Sequence, residues 1–550
     1  MNWIKNWNFK RAASALTGIW AFLLVTAFPL YAKNRYSQMG VHKFEFFLGI
    51  SAACLLPAAF FLYGGKLHFL SYQKRRPDEG AEGHSPRCRL SGLDLAMLSY
   101  LAACCLSWLF SSDRRQGWIG VSGWFMGLRT QLMFVLIYAL VSRGFCLSAF
   151  WKRALLTGHL LGSGAVFSLG VLHRFGLDPL DMYRGLDESY QLLFLSTIGQ
   201  ASWYSSYVCL ALVPGVVLFF VSEKLWVRLT LGAYCMLGFA TVVTQNSDSA
   251  FAAMAALFFV LFLAACDGPG RMERFFETAL LMLGSFKITG ILQLLLPEAA
   301  VQLDGMSEFL SQSTETWIVF LALCFAYAGF LFYRQRRPEK CDFVSKKRMR
   351  AGVCLLAGGA LLLYGGAVWL NTSGLSERLW GIRSGNQYLM FDRFWGNSRG
   401  FIWKFTLEAF GKLPFWRKLV GVGPDCFSSW CYGDQQLQRQ LDHFFGMNQT
   451  LTNAHNEFLN ALFCIGILGL LAYLAVFIAA FRRFFAARNV SWIALAAAAG
   501  ICVYGAHNFF CYQQICCAPY LFLLLGLAEN VRKFPHAAAH RTGGFNHTTS

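Results

Sequence analysis

Three short stretches in the last third of the chain combine the residue types that group transfer requires. They are Asn397-Ser-Arg-Gly-Phe-Ile-Trp403, Gly421-Val-Gly-Pro-Asp-Cys-Phe427 and Asn453-Ala-His-Asn-Glu-Phe-Leu-Asn-Ala-Leu462, the last followed by Gly466-Ile-Leu-Gly-Leu-Leu471. The imidazole of His455 has an unperturbed pKa suited to removing a proton near neutral pH. The guanidinium of Arg399 can hold anionic oxygens with two parallel hydrogen bonds. Arg393 and Arg129, the latter in Gly127-Leu-Arg-Thr130, are further cationic candidates, and Asn456, Gly421 and Gly423 complete the candidate substrate-facing set. Each has a plainer reading beside it. A lone His at a helix start is often a solvated cap residue, and an Arg near a membrane interface anchors to lipid headgroups. Asn456 and Glu457 cap a helix or orient the His. Gly421 and Gly423, with Pro424, allow a turn at positive φ and a close approach of backbone. His507-Asn508 repeats the His-Asn pair and reads as structural.

Metal chemistry finds little support. No Asp-x-Asp pair occurs, and Asp178, Asp181, Asp187 and Glu188 are spaced too unevenly for a compact hard-cation site. Neither a metal nor another cofactor is expected. Most of the 18 cysteines sit in apolar runs and behave as small hydrophobes, with no paired Cys-x-x-Cys pattern. Cys426 and Cys431 lie in polar sequence, where a disulfide between them is conceivable.

The elements that must position these residues are set by composition. Of 550 residues, 56% are hydrophobic and only 14% charged, with a mean hydropathy of +0.44. A soluble domain carries about a quarter charged residues, so the natural solvent is lipid. The 53 Phe, 20 Tyr and 17 Trp exclude a disordered chain. Apolar runs near twenty residues recur about fourteen times, near 12–32, 44–64, 92–110, 124–142, 154–172, 201–221, 229–245, 249–266, 277–297, 314–333, 351–370, 457–481, 490–509 and 512–529. Their length predicts an all-α polytopic membrane protein and rules out a membrane β-barrel. The expected divisions are an amino-terminal bundle of about eleven helices over 1–370, one large extracytoplasmic segment over 371–456, about three helices over 457–530 and a cytoplasmic tail over 531–550.

Charge orients the bundle. Lys74-Arg75-Arg76 with Arg87 and Arg89, and the run from Arg334 to Arg350, belong in the cytoplasm, together with Lys224, Arg228, Arg482, Arg483 and Arg488. Both termini then lie inside, against which loops 33–43 and 111–123 set basic residues outside. Much of the net charge of +19 is thereby a topology signal, and no basic stripe with interleaved aromatics points to nucleic acid. Segment 371–456 carries a basic surplus on the outer side. Within it, residues 400–411 place Phe401, Trp403 or Lys404, Leu407 and Phe410 at helical spacing, with Gly411 as the expected C-cap of a short helix lying on the membrane.

The three stretches, in this order within one outer segment, closely resemble the O-antigen ligase and O-antigen polymerase family of integral membrane glycosyltransferases. That family has an Arg-Gly-x-x-Trp element, a Gly-x-Gly-x-x-x-Phe element and a His-Asn-x-x-Leu element opening a helix with Gly-x-x-Gly. The resemblance extends over roughly residues 240–530. It implies a GT-C-like membrane fold and transfer of a glycan from an undecaprenyl-diphosphate carrier to the hydroxyl of a glycan or lipid-linked acceptor, at the outer face of the bacterial cytoplasmic membrane. It further implies inversion at the anomeric carbon, His455 as general base and Arg399 at the leaving diphosphate. Asp248, in Gln245-Asn-Ser-Asp-Ser249, stands where many members have Arg. Two rival classes remain: a transporter for lipid-linked glycans, which favours internal repeats and broken intramembrane helices, and a non-catalytic scaffold of envelope assembly.

Overall fold

The computed structural model describes residues 2–64, 90–191, 193–336, 346–447 and 449–534, without the side chains of 2–8 and 188. The basic residues 74–76, 87, 89, 337 and 340, and most of the expected tail, lie outside the described residues. The protein is 76% helical, and the strands described form one two-residue hairpin, Phe194–Leu195 with Gly199–Gln200.

Each of the fourteen apolar runs contains a helix. In chain order these are α1 (Asn2–Val25), α2 (Met39–Ala59), α3 (Gly92–Leu109), α4 (Leu128–Arg143), α5 (Ala149–Arg174), α6 (Ala201–Val221), α7 (Leu225–Thr244), α8 (Ser249–Ala265), α9 (Pro269–Leu295), α10 (Thr314–Arg336), α11 (Lys346–Thr372), α12 (Glu457–Ala486), α13 (Trp492–Asn508) and α14 (Ala518–Lys533). Ten are long and apolar enough to cross a membrane. The other four, α4, α8, α13 and α14, have 16 or 17 residues. At about 1.5 Å per residue they reach about 24–26 Å, short of the roughly 30 Å hydrocarbon core. Among the described residues the fourteen expected runs thus appear as ten helices of spanning length and four shorter ones. Of these, α13 and α14 are packed on most of their surface by protein.

The core runs through α6, buried along almost its whole length, with α12 packed on α3 and α13, α8 on α13, and α14 on α4. At one end of the bundle, ion pairs tie the helices together. Asp94 of α3 meets Arg143 of α4 at 2.8 Å and Lys533 of α14 at 2.9 Å. Asp267 after α8 meets Arg488 at 2.7 Å and Arg271 at 3.2 Å, and also pairs with Arg350 of α11. Segment 371–456 covers the opposite end. α10 and α11 bury almost nothing. Beyond Arg350, α11 joins the rest near its far end, where Tyr364 donates to the Tyr388 carbonyl at 2.7 Å and Asn371 to those of Ser384 and Leu389.

The expected helix at 400–411 forms within Trp395–Lys412, whose start is interrupted by a left-handed turn at Gly396, Asn397 and Ser398. Two details differ from expectation. Gly411 is inside the helix, whose C-cap is Leu413, and the buried face is Ile402, Phe405, Thr406 and Ala409 rather than the line through Leu407, which is exposed. Phe401 leaves that line to stack on Phe444 at 3.9 Å, and Trp403 packs on Phe509 and Phe510. Cys426 and Cys431 are both free and buried, so the expected disulfide is not formed. Residues 427–433 are helical, and five helical steps set the two thiols about 140° apart around the axis.

Candidate active site

Arg399 and His455, 56 positions apart, both dock on the connection between α13 and α14. The Arg399 Nε donates to the Phe510 carbonyl at 2.8 Å and one terminal nitrogen donates to the Gly396 carbonyl, which closes the left-handed turn. Its second terminal nitrogen makes no hydrogen bond among the described residues. Gly400 is required beside it, because a Cβ there would lie 1.8 Å from the Asp392 carbonyl oxygen. The His455 ring stands edge-on to Tyr512 with centroids 5.2 Å apart. Tyr512 is itself fixed, accepting from Trp203 Nε1 at 3.1 Å and donating to Gln200 Oε1 at 3.1 Å.

His455 is held at φ 47°, an uncommon conformation for a side-chain-bearing residue and one that recurs at functional sites. Its backbone N–H donates to Asn453 Oδ1 at 3.0 Å, while Asn456 Oδ1 accepts from the amides of Phe458 and Leu459, both at 3.0 Å, and caps α12. Neither ring nitrogen of His455 has a hydrogen-bond partner among the described residues. Burial, reinforced by the Arg399 charge, pushes the imidazole down to about 4, so it is neutral at physiological pH. Burial also lowers the Arg399 guanidinium from its ordinary value.

The Gly-x-Gly element explains the Gly-x-x-Gly element. α12 is interrupted at Gly466, with φ 72° and ψ −176°, a conformation essentially confined to glycine. The carbonyls freed by the break are taken up from outside: Cys464 O accepts from the Gly423 amide at 2.9 Å and from Ser107 Oγ at 2.8 Å. Gly421, at φ 82°, passes so close that a Cβ would lie 2.2 Å from the same carbonyl. Gly421 and Gly423 thus dock loop backbone into the broken helix, and Asn456 caps α12. Asp425 follows them. It is buried and accepts from the amides of Val121 and Met126 at 2.7 and 3.0 Å, fastening the 120–126 loop, and burial raises its carboxyl to about 7. A cavity of about 60 Å³, lined by Tyr100, Gln131, Asp425, Glu457, Tyr512 and Gln513 among others, adjoins it.

The remaining candidates are dispersed. Arg393 is exposed, its guanidinium 5.5 Å from the Phe394 ring. Arg129 lies over Phe44 at 5.1 Å with its Nε buried and unpartnered, and no contact joins it to Arg399 or His455. Asp248 comes nearer than either: it accepts from the Tyr388 hydroxyl at 3.2 Å, and its charge acts on Arg399. Burial, then Asp304, raises its carboxyl, against the pull of Tyr388 and Arg399. Among the described residues no group of three His, Cys, Asp or Glu side chains could hold a metal ion. Sequence reading missed Tyr512 and the Phe510 carbonyl, for which only proximity to His507-Asn508 gave any signal.

Comparison of the whole chain with curated proteins gives no match. Residues 299–474 match the family described as O-antigen ligase, a narrower range than the resemblance covers, yet one that includes Arg399, both glycines and His455. The match supports an O-antigen ligase-type function in polysaccharide biosynthesis at a membrane. The protein is all-α, with ten described helices long and apolar enough to cross a membrane, and its residues 299–474 match the O-antigen ligase family.

Proposed function

We propose that the protein transfers a glycan from a polyprenyl diphosphate to an acceptor hydroxyl, with inversion and without a metal, at the outer face of the cytoplasmic membrane. Both termini face the cytoplasm. The observation that carries this reading is the convergence of Arg399 and His455 on residues 510–512. The uncommitted nitrogen of Arg399 receives diphosphate oxygens, where it stabilises the charge that grows as the glycosidic bond breaks. His455 accepts the acceptor's proton as its oxygen bonds to the anomeric carbon. A base at about 4 is weak, but the diphosphate itself corrects this: its negative charge offsets Arg399 and favours the imidazolium. The nearly unburied α10 and α11 leave lipid access to the flank of the bundle below Tyr388, through which the prenyl chain approaches. A ligase and a polymerase share this chemistry and differ in the acceptor.

The test uses purified protein in liposomes with a synthetic polyprenyl-diphosphate oligosaccharide. His455→Ala and Arg399→Ala should each lower turnover by about 100-fold or more while the protein remains folded. A chelator should leave turnover intact. Unchanged turnover in both variants sinks the mechanism, and loss restored by magnesium refutes metal independence. A ladder of lengthening lipid-linked chains identifies a polymerase, and glycan on a different acceptor a ligase.

A further inference from the structure

The second His-Asn pair, His507-Asn508, has no part in the chemistry above, yet it lies at the centre of the site's scaffold. Glu457, two residues after His455, is buried and accepts from the hydroxyls of Tyr473 and Tyr504 and from Asn508 Nδ2. The Asn508 Oδ1 then faces His507 Nδ1 at 3.0 Å, so Nδ1 carries the ring proton. The other ring nitrogen is left as the acceptor, its one lone pair shared between Ser205 Oγ at 2.9 Å and Ser249 Oγ at 3.0 Å. Ser249 Oγ lies 2.8 Å from Ser247 Oγ, and between these serines stands Asp248, which holds Tyr388 and faces Arg399. A chain of hydrogen bonds, buried from Glu457 through Asn508 and His507 to Ser249, thus joins the turn that carries His455 to the turn that faces Arg399. Two and four residues further along, Phe510 and Tyr512 hold the two side chains themselves.

We infer that His507 and Asn508 are positioning residues that set His455 and Arg399 in register, by joining the α12, α13, α6 and α8 ends through one hydrogen-bonded chain. This rests on the proposed transferase reading for its activity, though not for its geometry. Every member must keep its donor or acceptor sense, since an unpaired buried polar group is costly and a chain that shifts moves both ends. A displacement of about 1 Å at a reacting group costs on the order of 100-fold in rate.

Asn508→Leu, close in size but unable to bond, removes the central link. It should lower kcat about 100-fold with donor KM changed less than about threefold, because the geometry of reaction is lost before binding is. The paired exchange Asn508→Asp with Glu457→Gln reverses one hydrogen bond and keeps every other, and should return kcat to within about fivefold of the wild type. A readout independent of transfer is the rate at which diethyl pyrocarbonate labels His455, measured by peptide mass spectrometry; it should change at least about threefold in Asn508→Leu and return in the paired exchange. If Asn508→Leu does not fold, Ser249→Ala at the far end of the chain carries the same criteria. Folded variants with wild-type kcat and unchanged labelling overturn the inference, as does a paired exchange no better than Asn508→Leu. Labelling that shifts and returns while even the wild type transfers no glycan supports the positioning role and removes the transferase reading instead.

Discussion

His455 is a base whose strength depends on what occupies Arg399. In the free protein, burial and the neighbouring cation keep it near 4. The acidic limb of kcat/KM, which reports the free enzyme, should therefore fall near pH 4, well below the usual histidine range. Once the diphosphate is bound its charge opposes that of Arg399, the imidazolium is favoured, and the acidic limb of kcat should lie higher than that of kcat/KM. Replacing Arg399 by Gln removes one of the two influences that lower the pKa. The kcat/KM limb should then move up toward 6.5, on whatever activity remains. Measured pH profiles of the two proteins decide this: limbs that coincide in kcat and kcat/KM, or that stay put in Arg399→Gln, contradict the coupling.

Among the elements, the break in α12 is what gives the loop its fixed seat. Gly421 and Gly466 both adopt a conformation closed to other residues, Gly421 lying against the backbone of Cys464 and Ile465 and Gly466 against that of Leu419 and Gly421. Gly421→Ala would add a Cβ 2.2 Å from the Cys464 carbonyl, and neither partner is a flexible side-chain end that can move aside. The expected cost is about 3 kcal/mol or more, seen as a lowered midpoint of thermal unfolding in detergent. Gly411→Ala is the control. Its position is helical and open, so alanine there should be neutral or stabilising by up to about 1 kcal/mol. Equal unfolding midpoints for the two variants would show that the seat is not as described. The motif spacing displayed these glycines without their purpose, since the partner of residue 421 lies 43 positions away, in a helix whose hydropathy shows no interruption. The left-handed turn at 396–398 was hidden for a similar reason: it redirects the following helix and moves its buried face from Leu407 to Phe405 and Thr406.

At the scale of the whole molecule, hydropathy located the helices α1–α14 because lipid and protein interior both select apolar side chains. The same equivalence means that hydropathy alone does not separate lipid-facing helices from α8 and α13, which are 17 residues long and largely buried by protein. The outer position of the site rests on charge, and the ion-paired end of the bundle makes that argument physical. Arg143, Arg271, Arg350, Arg483, Arg488 and Lys533 all gather at the end opposite segment 371–456, each with a carboxylate partner. The positive-inside tendency assigns a Lys- and Arg-rich end to the cytoplasm, and the proposed orientation follows it, with Arg399 and His455 on the far side. Native Cys146 lies exposed in the α4–α5 connection beside Arg143, and Gln436 lies on the exposed helix Gln435–Phe445 at the other end. In intact cells stripped of any outer barrier, a membrane-impermeant maleimide should label Gln436→Cys at once and Cys146 only after the membrane is opened. Because most of the other described cysteines are buried, the two sites can be resolved by peptide mass spectrometry. The reverse order of labelling would turn the bundle over and place Arg399 and His455 on the cytoplasmic side, out of reach of a donor presented at the outer face.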